Sequence, residues 1–156
     1  MNDQPRIYQI NISQGGVPKK SQPSAQVTPL GLSGDLHDNT EHHGGPEKAI
    51  SLYSLEIIRA LQDEGHPIFP GSTGENLTIL GLDWSLVDAG LRLALGNTVL
   101  IEVTRFATPC KTIRDSFIDQ QIDRISWRTN PGWARAYARV LTTGEISVGD
   151  SVRIVD

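Results

Sequence analysis

The feature that most constrains the fold is a pair of segments in which apolar residues occupy every second position. The first runs from Leu91 to Leu95 and the second from Val99 to Val103, with Gly96-Asn97 between them. A period of two places these side chains on one face of an extended strand. Because glycine and asparagine favour a tight turn, the two segments predict a β-hairpin. Its second strand leads directly into residues 105–110.

Further segments with strand character are short and are separated by turn residues; their ranges are 6–13, 26–30, 49–52, 75–80, 133–141 and 152–155. Helices are few. One is predicted to begin after Ser54, whose hydroxyl can cap it, and to end at Gly65. One or two short helices are expected within residues 112–127. Many short strands with frequent turns favour a mostly-β fold, a closed or partly open β-barrel with a few short helices.

The composition limits the classes of function. A chain of 156 residues with 38% hydrophobic and 21% charged residues suits one soluble domain, residues 1–156. With 14 Lys and Arg against 18 Asp and Glu, the net charge of −4 argues against a nucleic-acid partner. No apolar run approaches the roughly 20 residues that span a bilayer, and the N-terminus lacks signal-peptide character. A single cysteine cannot form an internal disulfide, so we expect a cytoplasmic protein without a membrane partner.

Cys110 is the residue with the most distinctive chemistry. It follows the predicted hairpin and Pro109, and it lies close in sequence to Arg105, Lys111 and Arg114. Positive charge favours the thiolate, which is the nucleophilic and metal-binding form of cysteine. Free cysteines are also common core residues. The residues around it are compatible with a reactive thiol and with core packing.

Three polar loops supply further candidate groups. Residues 15–20 join two glycines to Lys19-Lys20, which suits either an anion site or a solvated loop. Residues 31–46 contain three of the four histidines, but their spacing matches no helical two-histidine zinc motif. Glu75 and Asn76 follow a glycine-rich turn where a strand opens. They are suited equally to hydrogen-bonding a ligand and to capping loop amides.

These fragments together resemble the MOSC domain, named after the C-terminal part of molybdenum cofactor sulfurases. The matching elements occur in the family's order over nearly the whole chain: Val17-Pro18-Lys19-Lys20, Gly34-Asp35, His43-Gly44-Gly45, Lys48-Ala49, Pro70-Gly71, Gly74-Glu75-Asn76-Leu77, Thr104-Arg105, Pro109-Cys110, Arg139-Val140 and Gly149-Asp150-Ser151-Val152. The chain is similar to the stand-alone bacterial type. We therefore do not expect the extra N-terminal region of the mitochondrial reductase branch.

The resemblance implies a barrel that binds the molybdenum cofactor, a pyranopterin dithiolene with a terminal phosphate. Cys110 matches the family's cysteine, which ligates molybdenum in the reductase branch and has been assigned to carrying sulfur in sulfurase relatives. Both roles suit a thiolate, a soft ligand that also accepts persulfide sulfur. Pyridoxal phosphate is not expected in this chain, because the lysine that binds it belongs to a further domain of longer relatives.

Six other residues match positions that would bind the cofactor: Lys19, Lys20, His43, Asn76, Arg105 and Thr108. The resemblance implies that the two lysines and the arginine contact the phosphate or the pterin oxygens. The histidine and the asparagine would hydrogen-bond the pterin or the metal-oxo edge, and the threonine would supply a hydroxyl close to the cofactor.

Two functions are compatible with this reading. The first is reduction of N-hydroxylated small molecules at molybdenum held by Cys110, with electrons from a separate redox protein. The alternative is a non-catalytic sulfur carrier or cofactor-delivery module. A β-barrel that binds another small anion is a third, less specific possibility. The sequence leaves open whether the protein is a monomer or a homodimer.

Overall fold

The computed structural model describes residues 4–36 and 45–156, and strands dominate these residues. The strands are β1 Arg6–Ile12, β2 Lys20–Gln22, β3 Ser24–Thr28, β4 Gly31–Leu32, β5 Ile50–Ser54, β6 Leu77–Leu80, β7 Arg92–Leu95, β8 Val99–Phe106, β9 Ala136–Thr142, β10 Gly144–Ser147 and β11 Val152–Val155. The α-helix α1 is Leu55–Asp63, and the 3-10 helices are Pro46–Lys48, Trp84–Leu86, Lys111–Ser116, Ile118–Gln120 and Ile122–Ile125. The predicted mostly-β fold with a few short helices is confirmed.

Eight strands form one sheet in the order β11-β7-β8-β9-β5-β6-β1-β2, and β10-β3-β4 form a smaller sheet. Pairing is antiparallel except between β5 and β6, which run parallel because α1 connects them. The turn before β11 bonds to β1, where the Ile7 amide donates to the Asp150 carbonyl at 2.9 Å. The prediction of a barrel is not confirmed, since the order of the large sheet ends at β11 on one side and at β2 on the other.

The predicted hairpin is present as β7 and β8. Leu95 lies opposite Val99 and Arg92 opposite Glu102, and the inward-facing residues Leu93, Leu95, Ile101 and Val103 are buried. On the outer face Arg92 Nε donates to Glu102 Oε2 at 2.9 Å. Strand β8 continues past the predicted end at Val103 to Phe106, because it also pairs with β9, through a bulge between Val103 and Arg105.

The predicted helix is also confirmed. The Ser54 hydroxyl accepts from the Ile57 amide at 3.1 Å, so it caps the free amides of the first turn. Apolar residues at helical spacing bury one face, and these are Leu55, Ile58 and Leu61. Gly65 follows the helix with a φ of 100°, a left-handed conformation that favours glycine. None of the helices in the described ranges is long and apolar enough to cross a membrane.

The strand predicted from residue 133 begins only at Ala136. The reason is that side chains take the carbonyls of the two residues at its predicted start. The Tyr53 hydroxyl donates to the Trp133 carbonyl at 2.6 Å, and Trp84 Nε1 donates to the Ala134 carbonyl at 2.8 Å. Strand pairing therefore starts later, although the Ala107 amide already donates to the Arg135 carbonyl at 2.8 Å.

Candidate functional site

A row of polar residues crosses the large sheet from β8 to β1, and one of its members, Asn76, directly precedes β6. The register of β5 with β9 and of β8 with β9 aligns Ser51, Tyr137 and Arg105. Backbone hydrogen bonds continue the row through Asn76 to Asn11, from the Asn76 amide to the Ser51 carbonyl and from the Asn11 amide to the Asn76 carbonyl. The neighbouring row is apolar and buried, with Ile10, Leu77, Leu52 and Ala136. Because side chains alternate along strands, the polar row faces away from this core; we call these five residues the polar row.

Asn76 is held by hydrogen bonds on both sides of its amide. Its Oδ1 accepts from the Ser51 amide at 3.0 Å and from the Ser51 hydroxyl at 3.3 Å. Its Nδ2 donates to the Asn11 carbonyl at 3.2 Å and to Asp35 Oδ2 at 2.9 Å. A side-chain amide has two donor hydrogens and two acceptor lone pairs, so this one is fully used within the chain. A cofactor contact by Asn76 stays a prediction, and it would require exchange of one of these bonds.

Lys19 lies at the same end of the polar row. Its Nζ forms an ion pair with Asp35 Oδ2 at 2.7 Å, and the two side chains are 8% and 2% exposed. The other carboxylate oxygen of Asp35 accepts from the Ser13 amide at 2.9 Å. The ammonium group that was predicted to contact a phosphate is thus neutralised by a buried carboxylate. Lys20 is exposed, begins β2 and pairs with Ile12 in β1.

The glycine-rich turn before β6 is built around a buried carboxyl group. Glu75 Oε2 accepts from the Gly71 amide at 2.9 Å and from the Thr78 hydroxyl at 3.0 Å, and Oε1 accepts from the Thr73 hydroxyl at 2.9 Å. Gly71 has a φ of 89°, and a Cβ there would lie 2.5 Å from the Lys19 carbonyl oxygen. Only glycine therefore lets the turn approach the Lys19 segment this closely. The structure shows Glu75 ordering the turn.

Burial raises the pKa of the Glu75 carboxyl, while the amide and hydroxyl donors lower it in part. Above the unfolded-state value of 4.5, the folded protein then binds more protons than the unfolded chain. Stability therefore falls as pH rises from that value toward the folded pKa. We expect Glu75→Gln to remove this slope, because a side-chain amide does not titrate. A glutamine can still accept from the Gly71 amide and donate to the Thr73 hydroxyl, so the turn should keep its structure. Urea unfolding of both proteins at a series of pH values measures the difference.

The matched control is Glu145→Gln, which makes the same change at an exposed position of β10. This control is expected to keep the wild-type dependence of stability on pH. If Glu75→Gln and the wild type give parallel profiles up to mildly alkaline pH, the carboxyl of Glu75 does not carry a raised pKa in the folded protein.

Cys110 lies at the opposite end of the polar row, just beyond β8. It is partly exposed, and its Sγ lies 2.8 Å from the Thr112 hydroxyl. Arg105 and Thr108 on the same segment are both exposed. The Thr108 hydroxyl accepts from Trp127 Nε1 at 3.3 Å, so it orients the indole ring beside the cysteine loop. Cys110 is therefore neither a core residue nor closed off by its neighbours.

Tyr137 lies between Arg105 and Ser51 in the polar row. Burial is the main effect on its phenol and raises the pKa. The charges of Arg135 and Arg105 lower that pKa, and Cys110 raises it. These three groups therefore lie within electrostatic reach of one ring. The ammonium group of Lys48 lies 5.4 Å from the centre of the same ring. The fold thus brings cations from three segments near the Tyr137 ring, although the whole chain is acidic.

The structure brings together part of the predicted site. Cys110 and Arg105 lie at one end of the polar row, and Lys19 and Asn76 at the other. His43, like His37 and His42, lies outside the described residues. Within residues 4–36 and 45–156, no group of three His, Cys, Asp or Glu side chains could hold a metal ion.

Sequence reasoning missed Arg135 and Tyr137, which lie on the same side of the sheet as Ser51. A usable signal was present, since polar residues recur at every second position of the segment that contains Arg135, Tyr137 and Arg139. This pattern puts them on one strand face. It could not indicate which of them lie near the cysteine.

The sequence profile of the MOSC domain matches residues 39–153 of the chain. The chain belongs to the MOSC domain family. The matched range contains Asn76, Arg105 and Cys110, whereas Lys19 and Lys20 precede it.

Three curated proteins illustrate the spread of related MOSC sequences. The uncharacterized protein YflK of Bacillus subtilis is 25% identical over 92% of this chain. Protein YiiM of Escherichia coli is 28% identical over 83% of the chain, and a protein of Gibberella moniliformis named "Reductase" is 30% identical over 81%. This chain spans only 64%, 58% and 23% of the lengths of these relatives, respectively.

Solved structures of similar proteins agree with the fold. The crystal structure of YiiM from Geobacillus stearothermophilus superimposes with a TM-score of 0.73 at 24% identity, over 97% of this chain and 75% of that one. The YuaD protein of Bacillus subtilis gives 0.72 at 17% identity, over 96% and 94%. At these identities the likeness concerns the fold alone.

Proposed function

We propose that this MOSC protein binds the molybdenum cofactor through Cys110 and reduces N-hydroxylated small molecules. The observation that carries the proposal is the position of the chain's single thiol, which is partly exposed four residues beyond β8 and within electrostatic reach of Tyr137. The family membership and the relative named "Reductase" support it.

The residues present suit a metal that arrives with its own organic ligands. The described residues offer no set of three metal-binding side chains, so they could not hold a bare ion. A pterin dithiolene supplies most of the donors itself and needs few from the protein. A thiolate is a soft donor and matches a thiophilic metal. Arg105, five residues before Cys110, carries a guanidinium fork that suits the negative charge of a phosphate or pterin oxygen.

In the proposed reaction the N–O bond of a hydroxylamine or amidoxime breaks, and the products are the amine or amidine and water. Two electrons and two protons are needed for this balance. When bound, the molybdenum cofactor supplies the two-electron redox centre. Arg105 and the aromatic rings of Tyr137 and Trp127 would orient a polar, planar substrate beside it. The electrons would come from a separate redox protein.

The alternative is a sulfur carrier. A partly exposed thiol is accessible to a donor protein. The thiolate of Cys110 can attack the terminal sulfur of a donor persulfide, and the donor's own cysteine then leaves as a thiolate. This step needs no bound metal. The two functions differ in what the isolated protein contains.

The test is to produce the protein in a host that makes the cofactor. Bound molybdenum and pterin are then measured, together with reduction of N-hydroxyadenine by an artificial electron donor. We expect about one molybdenum per chain and measurable reduction. A metal-free protein that carries a labile persulfide on Cys110 would overturn the reductase and support the carrier.

A further inference from the structure

The segment that ends β8 and follows it carries the opposite charge to the rest of the chain. Residues 105–128 contain five Lys and Arg against three Asp and Glu, whereas the other residues contain nine against fifteen. Beyond Cys110 this segment forms three short 3-10 helices, and the first of them packs on the other two. An acidic chain therefore presents a locally basic segment, and that segment contains its single thiol.

Three cations of this segment are exposed and form no ion pair within residues 4–36 and 45–156; these are Lys111, Arg114 and Arg128. Arg114 Nη1 donates to the Lys111 carbonyl at 3.1 Å. The guanidinium carbon of Arg128 lies 5.0 Å from the centre of the Trp127 ring. Asp115, which follows Arg114, is also exposed and forms no ion pair in these ranges. The three positive charges are therefore presented to solvent and to any partner.

Contacts connect both ends of this segment to the cysteine loop. Trp127 Nε1 donates to the Thr108 hydroxyl at 3.3 Å, and Thr108 lies two residues before Cys110. The Trp127 ring, which contacts Arg128, is 39% exposed. Lys111 begins the 3-10 helix that follows Cys110 directly. Cations that are distant in the sequence therefore lie beside the same loop.

These exposed groups suit a protein partner. Arginine and aromatic residues are enriched at protein interfaces, and Ile118, which is 40% exposed, adds an apolar side chain from the second 3-10 helix. A nucleic acid is disfavoured, because the acidic remainder of the chain would repel a long polyanion. A protein whose negative charge is confined to one face would not meet that repulsion.

We propose that this surface docks the acidic face of the redox protein that supplies the electrons. Its residues are Lys111, Arg114, Ile118, Trp127 and Arg128. This role rests on the proposed reduction, which takes two electrons from such a partner for each N–O bond. Electrons pass between proteins only over short distances, so the donor has to dock beside the thiol proposed to hold the cofactor. Complementary charge also speeds the encounter of two proteins at low salt.

The test compares acidic protein donors with a small cationic donor. A plant-type ferredoxin and a flavodoxin are the protein donors, and reduced benzyl viologen is the small one. Each delivers one electron, so two reduced carriers are consumed for each molecule of N-hydroxyadenine that the molybdenum-loaded protein reduces. We expect the double variant Arg114→Glu, Arg128→Glu to lower the second-order rate constant with both protein donors about tenfold at low salt. With reduced viologen the rate should not fall.

The matched control is Arg59→Glu, which makes the same change at an exposed position of α1. It should leave the rates with all three donors unchanged. Ionic strength provides a second control, because about 1 M salt shortens the Debye length to about 3 Å. At that salt concentration the wild type and the double variant should accept electrons from the protein donors at the same rate.

An equal fall in Arg59→Glu would refute a local role for these cations, and an equal fall with viologen would show that the change acts on the site itself. A wild type that takes electrons from viologen but from neither protein donor would refute the acidic partner. Binding to vesicles of anionic lipid that the double variant loses, while its donor rates persist, would also refute it. Failure of the proposed reductase is distinct, because the protein then lacks molybdenum and viologen supports no reduction.

Discussion

Replacing Cys110 with serine or alanine is expected to lower bound molybdenum and N-hydroxyadenine reduction by more than about 100-fold. Loss of groups that only support a metal ligand already costs on the order of 10–100-fold, and loss of the ligand itself should cost more. Serine is the informative variant, because it keeps the size of the side chain but replaces a soft sulfur with a hard oxygen. Metal analysis, pterin fluorescence and steady-state reduction measure the effect.

The fold should tolerate this change, since the thiol is partly exposed and lies beside a single hydroxyl, that of Thr112. We expect the free energy of unfolding to change by less than about 1 kcal/mol. Ser85→Ala removes a comparable polar atom from an exposed position at a distance from the polar row, and it should retain metal and activity. Full molybdenum content in Cys110→Ser would exclude the thiol as the metal ligand.

Asn76→Ala is expected to cost about 3–5 kcal/mol of folding stability, because it leaves several buried groups without partners. The Ser51 amide loses its acceptor, and Asp35 and the Asn11 carbonyl each lose a donor. All of these groups lie at the end of the polar row that contains Asn76 and Lys19. Urea or thermal unfolding of the metal-free protein gives the value without reference to any cofactor.

Asn97→Ala is the control for this prediction, since it removes an exposed amide from the turn between β7 and β8. It should change stability by no more than about 0.5 kcal/mol. A loss below about 1 kcal/mol in Asn76→Ala would mean that water replaces the amide. In that case the four hydrogen bonds of Asn76 do not hold this end of the sheet together.

Features with local causes were predictable from the sequence. The hairpin of β7 and β8 follows from apolar residues at every second position around Gly96, and α1 follows from a capping serine and an apolar stripe at helical spacing. Its end at Gly65 depends on one residue's conformational freedom. In each case the residues that decide the structure lie within about one turn or one strand of each other.

The polar groups around the site were less predictable. Glu75 and Asn76 were suited to a ligand or to a cap, and the structure uses both of them internally. The side-chain partners of Asn76 lie 25 and 41 positions away in the sequence, at Ser51 and Asp35. Lys19 is similarly paired with a carboxylate 16 positions away. No local pattern contains such pairs, because they depend on the register of several strands.

The sequence by itself determined most strands of the large sheet, the helix and the place of the single thiol just beyond a hairpin strand, because periodicity and turn chemistry act over short distances. Only the tertiary structure decided which polar side chains are already paired and which are not. The alternation of polar residues puts Arg135 and Tyr137 on one face, but it cannot show that Arg135 is buried without a carboxylate among the described residues. The charge balance of a buried group is set by every segment packed around it, and strand pairing between distant segments brings those segments together.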